Sequence, residues 1–157
     1  MTTTHDPATA NDPATEQVRV FEQPDGYLTH YRLWGPDRAA DLVVMLHGGM
    51  SHSAWQAPLG TRLGRLPGTA FVAIDLRGSG LNAGRGHIPS GELAVEDIAN
   101  VLRHLKDSYG RIHLAGWCFG AQVATVVAAG RPRPDPGARR TREQPQGRQH
   151  RDPEAPA

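Results

Sequence analysis

Gly116-Trp117-Cys118-Phe119-Gly120 separates two segments of different character. Before it, Arg111-Ile112-His113-Leu114-Ala115 reads as a short strand. After it, Ala121 to Ala129 reads as a buried helix, closed by Gly130 and Pro132. The two glycines permit a turn sharp enough to hold the Cys118 side chain clear of the backbone. The helix that follows points its N-terminus at that side chain, which favours a thiolate. Strand, Gly-x-Cys-x-Gly and helix together match the pattern called a nucleophile elbow, with Cys where Ser is commoner. The same five residues also suit a Gly-rich turn around one buried structural cysteine, so the surroundings have to decide.

Working upstream, two further apolar runs end in polar, glycine-bearing turns. Leu42-Val43-Val44-Met45-Leu46 has the length of a strand buried on both faces, and His47-Gly48-Gly49 follows at once. Thr69 to Asp75 is the next buried strand, leading into Leu76-Arg77-Gly78-Ser79-Gly80 and a glycine-rich loop that lasts to Ser90. Between these strands, Ser53 to Leu66 can form a helix made irregular by Pro58 and Gly60. Ser90 is suited to cap a helix running to about Asp107, with Val95, Ile98, Val101 or Leu102, and Leu105 at helical spacing. Glu92 in its first turn and Arg103, His104 and Lys106 near its end complement the macrodipole. Nearer the start, Val18–Glu22 and Tyr27–Trp34 flank Pro24-Asp25-Gly26 and predict a hairpin whose second arm puts Tyr27, Thr29, Tyr31 and Leu33 on one face, as suits a strand covered unequally on its two sides. Strands alternating with helices give an α/β class, with a mostly parallel sheet and a leading antiparallel hairpin.

The ends of the chain are of another composition. Residues 1–17 are Thr, Ala, Asp, Pro and Asn with almost nothing to bury, and are expected to form a disordered leader. Residues 131–157 contain seven of the sixteen arginines and no Val, Ile, Leu, Met, Phe, Tyr or Trp, so they predict a disordered basic Pro/Arg-rich tail. A basic arm for RNA or an acidic partner is one reading of that tail. A frame error in a GC-rich gene is the other, favoured here because no aromatic residues interleave with the basic ones as base stacking would want. A net charge of +1 calls for neither nucleic acid nor an acidic membrane surface. No apolar run approaches the roughly 20 residues of a membrane span, and the N-terminus lacks the pattern of a secretory signal. One cysteine excludes an intramolecular disulfide and fits a cytoplasmic, reducing setting or a working thiol. Nothing in the sequence asks for a cofactor or a metal.

Three glycine-rich turns, each at the C-terminal end of a parallel strand, lie on the edge where open α/β sheets place their ligands. In this order and spacing, 18–130 resembles the N-terminal part of an α/β-hydrolase domain. Gly84-Arg85-Gly86-His87-Ile88-Pro89-Ser90 and the helix after it are similar to the monoacylglycerol lipase and serine aminopeptidase-like branch. The resemblance implies that Cys118 is the nucleophile. It implies too that the backbone N–H groups of Gly49 and Phe119 form an oxyanion hole. Asp75, Arg77 and Gly78 match a turn whose role in the family is mainly structural. A thiol depends less on a strong base than a hydroxyl does, and Cys elbows resemble those of dienelactone hydrolases and polyhydroxyalkanoate synthases.

The family's catalytic acid and His follow the nucleophile, and here only the tail does, with Asp135 and His150 read as solvated. His47 is expected to shape its loop; His52 and His87 lie in loops on the correct edge but read as surface or packing residues. No catalytic His or acid is therefore assigned, and the domain is expected to be partial, with a bare edge on its last strand. The expected function is hydrolysis of a small-molecule acyl ester or thioester, or acyl transfer, through an acyl-Cys118 intermediate, with little turnover by this chain. The alternative is a non-catalytic pseudoenzyme or binding module.

Overall fold

The computed structural model describes residues 12–130; the tail, with Asp135 and His150, and residues 1–11 lie outside the described residues. Of the expected leader, residues 12–16 make a turn, and the Pro13 carbonyl accepts a hydrogen bond from the Gly35 N–H at 2.9 Å.

The hairpin forms as predicted. β1 (Gln17–Glu22) and β2 (Leu28–Trp34) pair antiparallel, from Gln17 opposite Leu33 to Glu22 opposite Leu28. Gly26 takes φ +80, the left-handed conformation its turn requires. β3 (Ala39–Leu46), β4 (Thr69–Ile74) and β5 (Tyr109–Gly116) complete a five-stranded sheet of order β1-β2-β4-β3-β5. β3 pairs parallel with both β4 and β5, and β2 pairs antiparallel with β4. Only β2 therefore runs against the other four strands. Among the described residues no strand pairs with the outer edge of β5.

Two helices cover one face. α2 (Gly91–Leu105) starts where the sequence predicts, with the Ser90 hydroxyl accepting from the Leu93 N–H at 3.1 Å. It lays Val95, Ile98, Val101 and Leu105 on Tyr31, Leu33, Leu42, Val44 and Val72. α3 (Phe119–Ala128) adds Val123 and Ala124 to the same core. On the other face, among the described residues, sits only α1 (Ala57–Leu63), after a 3₁₀ turn at Ser53–Gln56, packed on Trp34, Phe71 and Ala73. The helical stretch expected over Ser53–Leu66 is thus split and shorter. Gly60 is where Trp34 fits, since a Cβ there would lie 2.4 Å from the indole.

Two burial expectations need correction. β3 buries only alternate residues fully, because two-turn α1 reaches β2 and β4 but leaves Val43 and Met45 half covered. α3 is apolar all round yet buries only its inner side: Val126 is 46% exposed, since no further element covers its outer face among the described residues. β4, flanked on both sides, matches its continuous apolar run, with every residue from Ala70 to Ile74 buried.

Candidate active site

β3 is the central strand of the parallel trio, so the loop leaving its C-terminal end lies between the loop after β4 and the elbow after β5. Backbone contacts fasten the three together. The Trp117 N–H donates to the Leu46 carbonyl at 3.3 Å. His47 joins the first two: with Nδ1 2.7 Å from the Gly48 carbonyl and Nε2 3.0 Å from the Leu76 N–H, it is the Nδ1–H tautomer that satisfies both. Burial pushes the His47 imidazole below its ordinary pKa, in keeping with a neutral ring that donates once and accepts once. His47 shapes the loop, as the sequence suggests.

Asp75 and its neighbours are structural as well. The Asp75 carboxylate is buried and accepts from the Ser53 N–H at 2.6 Å and the Leu81 N–H at 3.0 Å. Arg77 forks onto Asp97 of α2 at 2.7 and 2.9 Å, reaches Asp25 of the hairpin turn at 2.8 Å, and lies 3.8 Å over the Tyr27 ring. Its guanidinium is held well above its usual range by the Asp97 carboxylate, so it is permanently charged. Tyr27 then accepts from the Gly78 N–H and donates to the Ala83 carbonyl. The hairpin turn thereby fixes the glycine-rich loop, which the sequence did not reveal, because nothing local links Tyr27 to residues fifty positions on.

At the elbow, Cys118 stands as the residue before the first turn of α3 with φ 51 and ψ −124. That is a left-handed conformation which costs a residue bearing a Cβ about 1–3 kcal/mol. The side chain is exposed, which removes the reading of Cys118 as a buried structural thiol. The turn is closed on all sides by backbone. A Cβ at Gly120 would lie 2.4 Å from the carbonyl oxygens of both Leu46 and His47, and one at Gly116 2.5 Å from the Gly120 carbonyl. A Cβ at Gly48 would come within 3.2 Å of the Cys118 Cβ. Gly48 is thus the residue that lets Cys118 approach, while Gly49 faces open space, where a Cβ would meet nothing within 4 Å. The N–H groups of Gly49 and Phe119 make no hydrogen bond among the described residues.

Two concavities meet at this loop. A cleft of about 590 Å³ includes Gly49 and Phe119 in its walls, and a smaller one of about 240 Å³ holds Cys118 with Gly49, Trp55 and Trp117. Sequence reasoning did not single out Trp55, Trp117, Ser51 or Arg85, which also line them. The signal for Arg85 was its place as the sole cation between two glycines. No side chain among the described residues hydrogen-bonds the Cys118 sulfur. His47 is committed as described, and His52 Nε2 accepts from the Trp55 indole N–H at 2.9 Å. His30 is held by Asn82, His104 lies against Phe21 and His113 against Asp41, while His87 is exposed and lines neither concavity.

Solved structures share this arrangement of sheet and helices. DcsB, determined with its substrate analogue, is 21% identical with a TM-score of 0.65 over 73% of this chain and 41% of that one. The thioesterase domain from the curacin biosynthetic pathway is 27% identical, with a TM-score of 0.60 over 75% of this chain and 41% of the other. The α/β hydrolase GrgF from Penicillium sp. sh18 is 20% identical, with a TM-score of 0.64 over 73% of this chain and 42% of its own. This chain thus spans about two fifths of the length of these proteins. Comparison with curated proteins finds no match. The family model described as serine aminopeptidase, S33, matches residues 37–138, and with the α/β-hydrolase sheet and its turns in place the chain belongs to that hydrolase family.

Proposed function

We propose that this chain carries the nucleophile and oxyanion-binding part of an enzyme that hydrolyses or transfers an acyl group from a small-molecule ester or thioester. Supporting this is one observation above the others: an exposed Cys118 held at φ 51 before α3, in a turn that backbone contacts leave no room to relax. In the reaction the Cys118 sulfur attacks the carbonyl carbon, its proton passing to solvent. The π pair moves to the oxygen, which the N–H groups of Gly49 and Phe119 receive. Collapse of that oxyanion breaks the bond to the alkoxide or thiolate, which leaves with a proton and yields acyl-Cys118. Water or a second nucleophile then takes the acyl group. Loss of one oxyanion donor typically costs about 10²–10³ in turnover.

Acylation by an activated ester needs only the thiolate, whereas attack of water needs a general base. With no histidine bonded to the sulfur among the described residues, the second step is the slow one. Incubation with p-nitrophenyl acetate is expected to give about one equivalent of nitrophenol and an acetyl adduct, found on Cys118 by peptide mass spectrometry and absent from Cys118→Ala. Nitrophenol release without that adduct would overturn the acyl-cysteine route. Steady multiple turnover abolished by Cys118→Ala would overturn the slow second step. The unbonded sulfur equally favours a second reading, a non-catalytic binding module, for which neither adduct nor burst is expected.

A further inference from the structure

The larger cleft has a charge pattern that the nucleophile's chemistry does not explain. Its walls include two arginines, Arg32 and Arg85, and no aspartate or glutamate. Arg32 is already spent, with Nε donating to the Ser53 hydroxyl at 2.9 Å and Nη1 paired with Glu16. The nearest buried acid, Asp75, lies beneath the floor with both oxygens taken by the Ser53 and Leu81 amides. Arg85 is different: it has no hydrogen bond or ion pair among the described residues. It stands on a loop curled by Gly84 at φ +71 and Gly86 at φ +79, and anchored by the Gly86 N–H on the Gly78 carbonyl at 2.7 Å. Arg85, exposed and unpaired among the described residues, thus borders the cleft from a fixed loop. Apolar wall comes from Leu76, Leu81, Ile88 and Phe119, and Ser51 also borders the space.

We propose that this cleft is a subsite for a carboxylate-bearing chain. The half of the ester or thioester lying beyond Gly49 is a short aliphatic segment that ends in a carboxylate, received by the Arg85 fork. Arg matches a carboxylate with two parallel N–H···O bonds, so the pairing selects for shape as well as charge. The apolar walls suit methylene groups, and 590 Å³ leaves ample room for a chain of about six carbons. Trp55 and Trp117 line the other concavity beside Cys118, and Gly48, Gly49, Met50 and Ser51 border both. The proposal rests on the acyl-transfer reading for what is done to the ligand, but not for its binding.

The test is therefore a binding measurement on the full chain, with Cys118 acetylation by p-nitrophenyl acetate read separately on the same preparation. Monomethyl adipate, an anion at neutral pH, is titrated against dimethyl adipate and followed by ¹H–¹⁵N chemical shifts at Gly49, Gly86 and Phe119. The monoester is expected to bind at least about tenfold more tightly, a preference lost in Arg85→Gln and weakened by salt. Arg85→Lys, which keeps the charge but not the fork, is expected to retain part of it. Equal binding of the two esters, no binding of either, or a preference that survives Arg85→Gln would overturn the proposal. Acetylation of Cys118 with no such preference would leave the acyl-transfer reading standing and the subsite refuted. A preference with no acetylation would do the reverse. Arg85 bonds no other residue, so its substitution leaves the fold intact, which unchanged shift dispersion checks.

Discussion

Replacing Cys118 by glycine should stabilise the protein while removing the thiol proposed as its nucleophile. Cys118 and Met50 are the two non-glycine residues with positive φ among those described, and Cys118 has φ 51 with ψ −124. A residue held there costs about 1–3 kcal/mol, a cost glycine does not carry. Against this, glycine has more freedom to lose from the unfolded chain, about 0.5–1 kcal/mol. The thiol is exposed, so deleting it forfeits little apolar burial. The balance is a gain of about 0.5–2 kcal/mol for Cys118→Gly, or roughly 2–8 °C in Tm for a domain of this size. Cys118→Ala keeps the Cβ and hence the strain, and should stay close to the parent. Urea unfolding of all three proteins in reducing buffer measures this, with equal m-values required for the comparison. A glycine variant no more stable than the alanine variant would refute the idea that the elbow stores strain, and with it the reason for reading the turn as built around a nucleophile.

The other predictions concern how the site is held. Gly120→Ala would place a carbon 2.4 Å from the carbonyl oxygens of Leu46, which ends β3, and His47, which follows it, so a loss of about 3 kcal/mol or more is expected in the same unfolding assay. Gly49→Ala, which meets nothing, should change stability by less than about 0.5 kcal/mol and serves as the control. Arg77→Gln should cost about 3–5 kcal/mol by leaving buried Asp97 without its ion pair, while Arg77→Lys recovers part of that; a neutral result would show that the hairpin turn and α2 are held otherwise. Burial pushes the His47 imidazole below its ordinary value, so on acidification the unfolded chain takes up a proton near pH 6.5 that folded His47 refuses. Its contribution is thus complete above about pH 6.5 and declines as the pH falls toward the lower folded value. An NMR titration should find the His47 midpoint below the ordinary 6.5, and a midpoint at or above 6.5 would contradict this.

How much of this was legible in the sequence depends on whether a contact is local. The hairpin, the Ser90 cap, the three parallel strands and the elbow each follow from residues within about ten positions of one another, and all are present. Burial was misjudged where it depends on partners. The runs Leu42–Leu46 and Ala121–Ala129 are apolar enough to be enclosed, but α1 is too short to cover β3's second face and nothing described covers the outside of α3. The glycines after β3 carried a distinction that composition hides. Gly48 is required by the approach of Cys118, while Gly49 is sterically free, and only the positions of neighbouring atoms tell them apart. The cleft behind them was illegible for the same reason. Arg85 and Ser51 come from two separate loops and Phe119 from the start of α3, and they line one cleft because β3 lies between β4 and β5.

On the reading proposed for Cys118 and Gly49, that strand order also explains how the elbow and the β3 loop can be held together without a base nearby. The β3 loop and the elbow contact each other through main chain: Trp117 to the Leu46 carbonyl, Gly120 against Leu46 and His47, Gly48 against Cys118. Each of these contacts lies within residues 46–48 and 116–120, and the parallel pair β3 and β5 sets them in register, from Ala39 opposite Tyr109 to Leu46 opposite Gly116. Holding Cys118 against Gly48 thus needs no residue beyond α3. Proton transfer is a separate requirement that has to be met by a side chain from elsewhere, because His47, the one histidine rigidly held in this unit, spends both ring nitrogens in joining it to Leu76. His47 cannot serve as a base without releasing the loop that presents Gly49. The division between a self-sufficient nucleophile unit and an independently supplied base follows from that conflict.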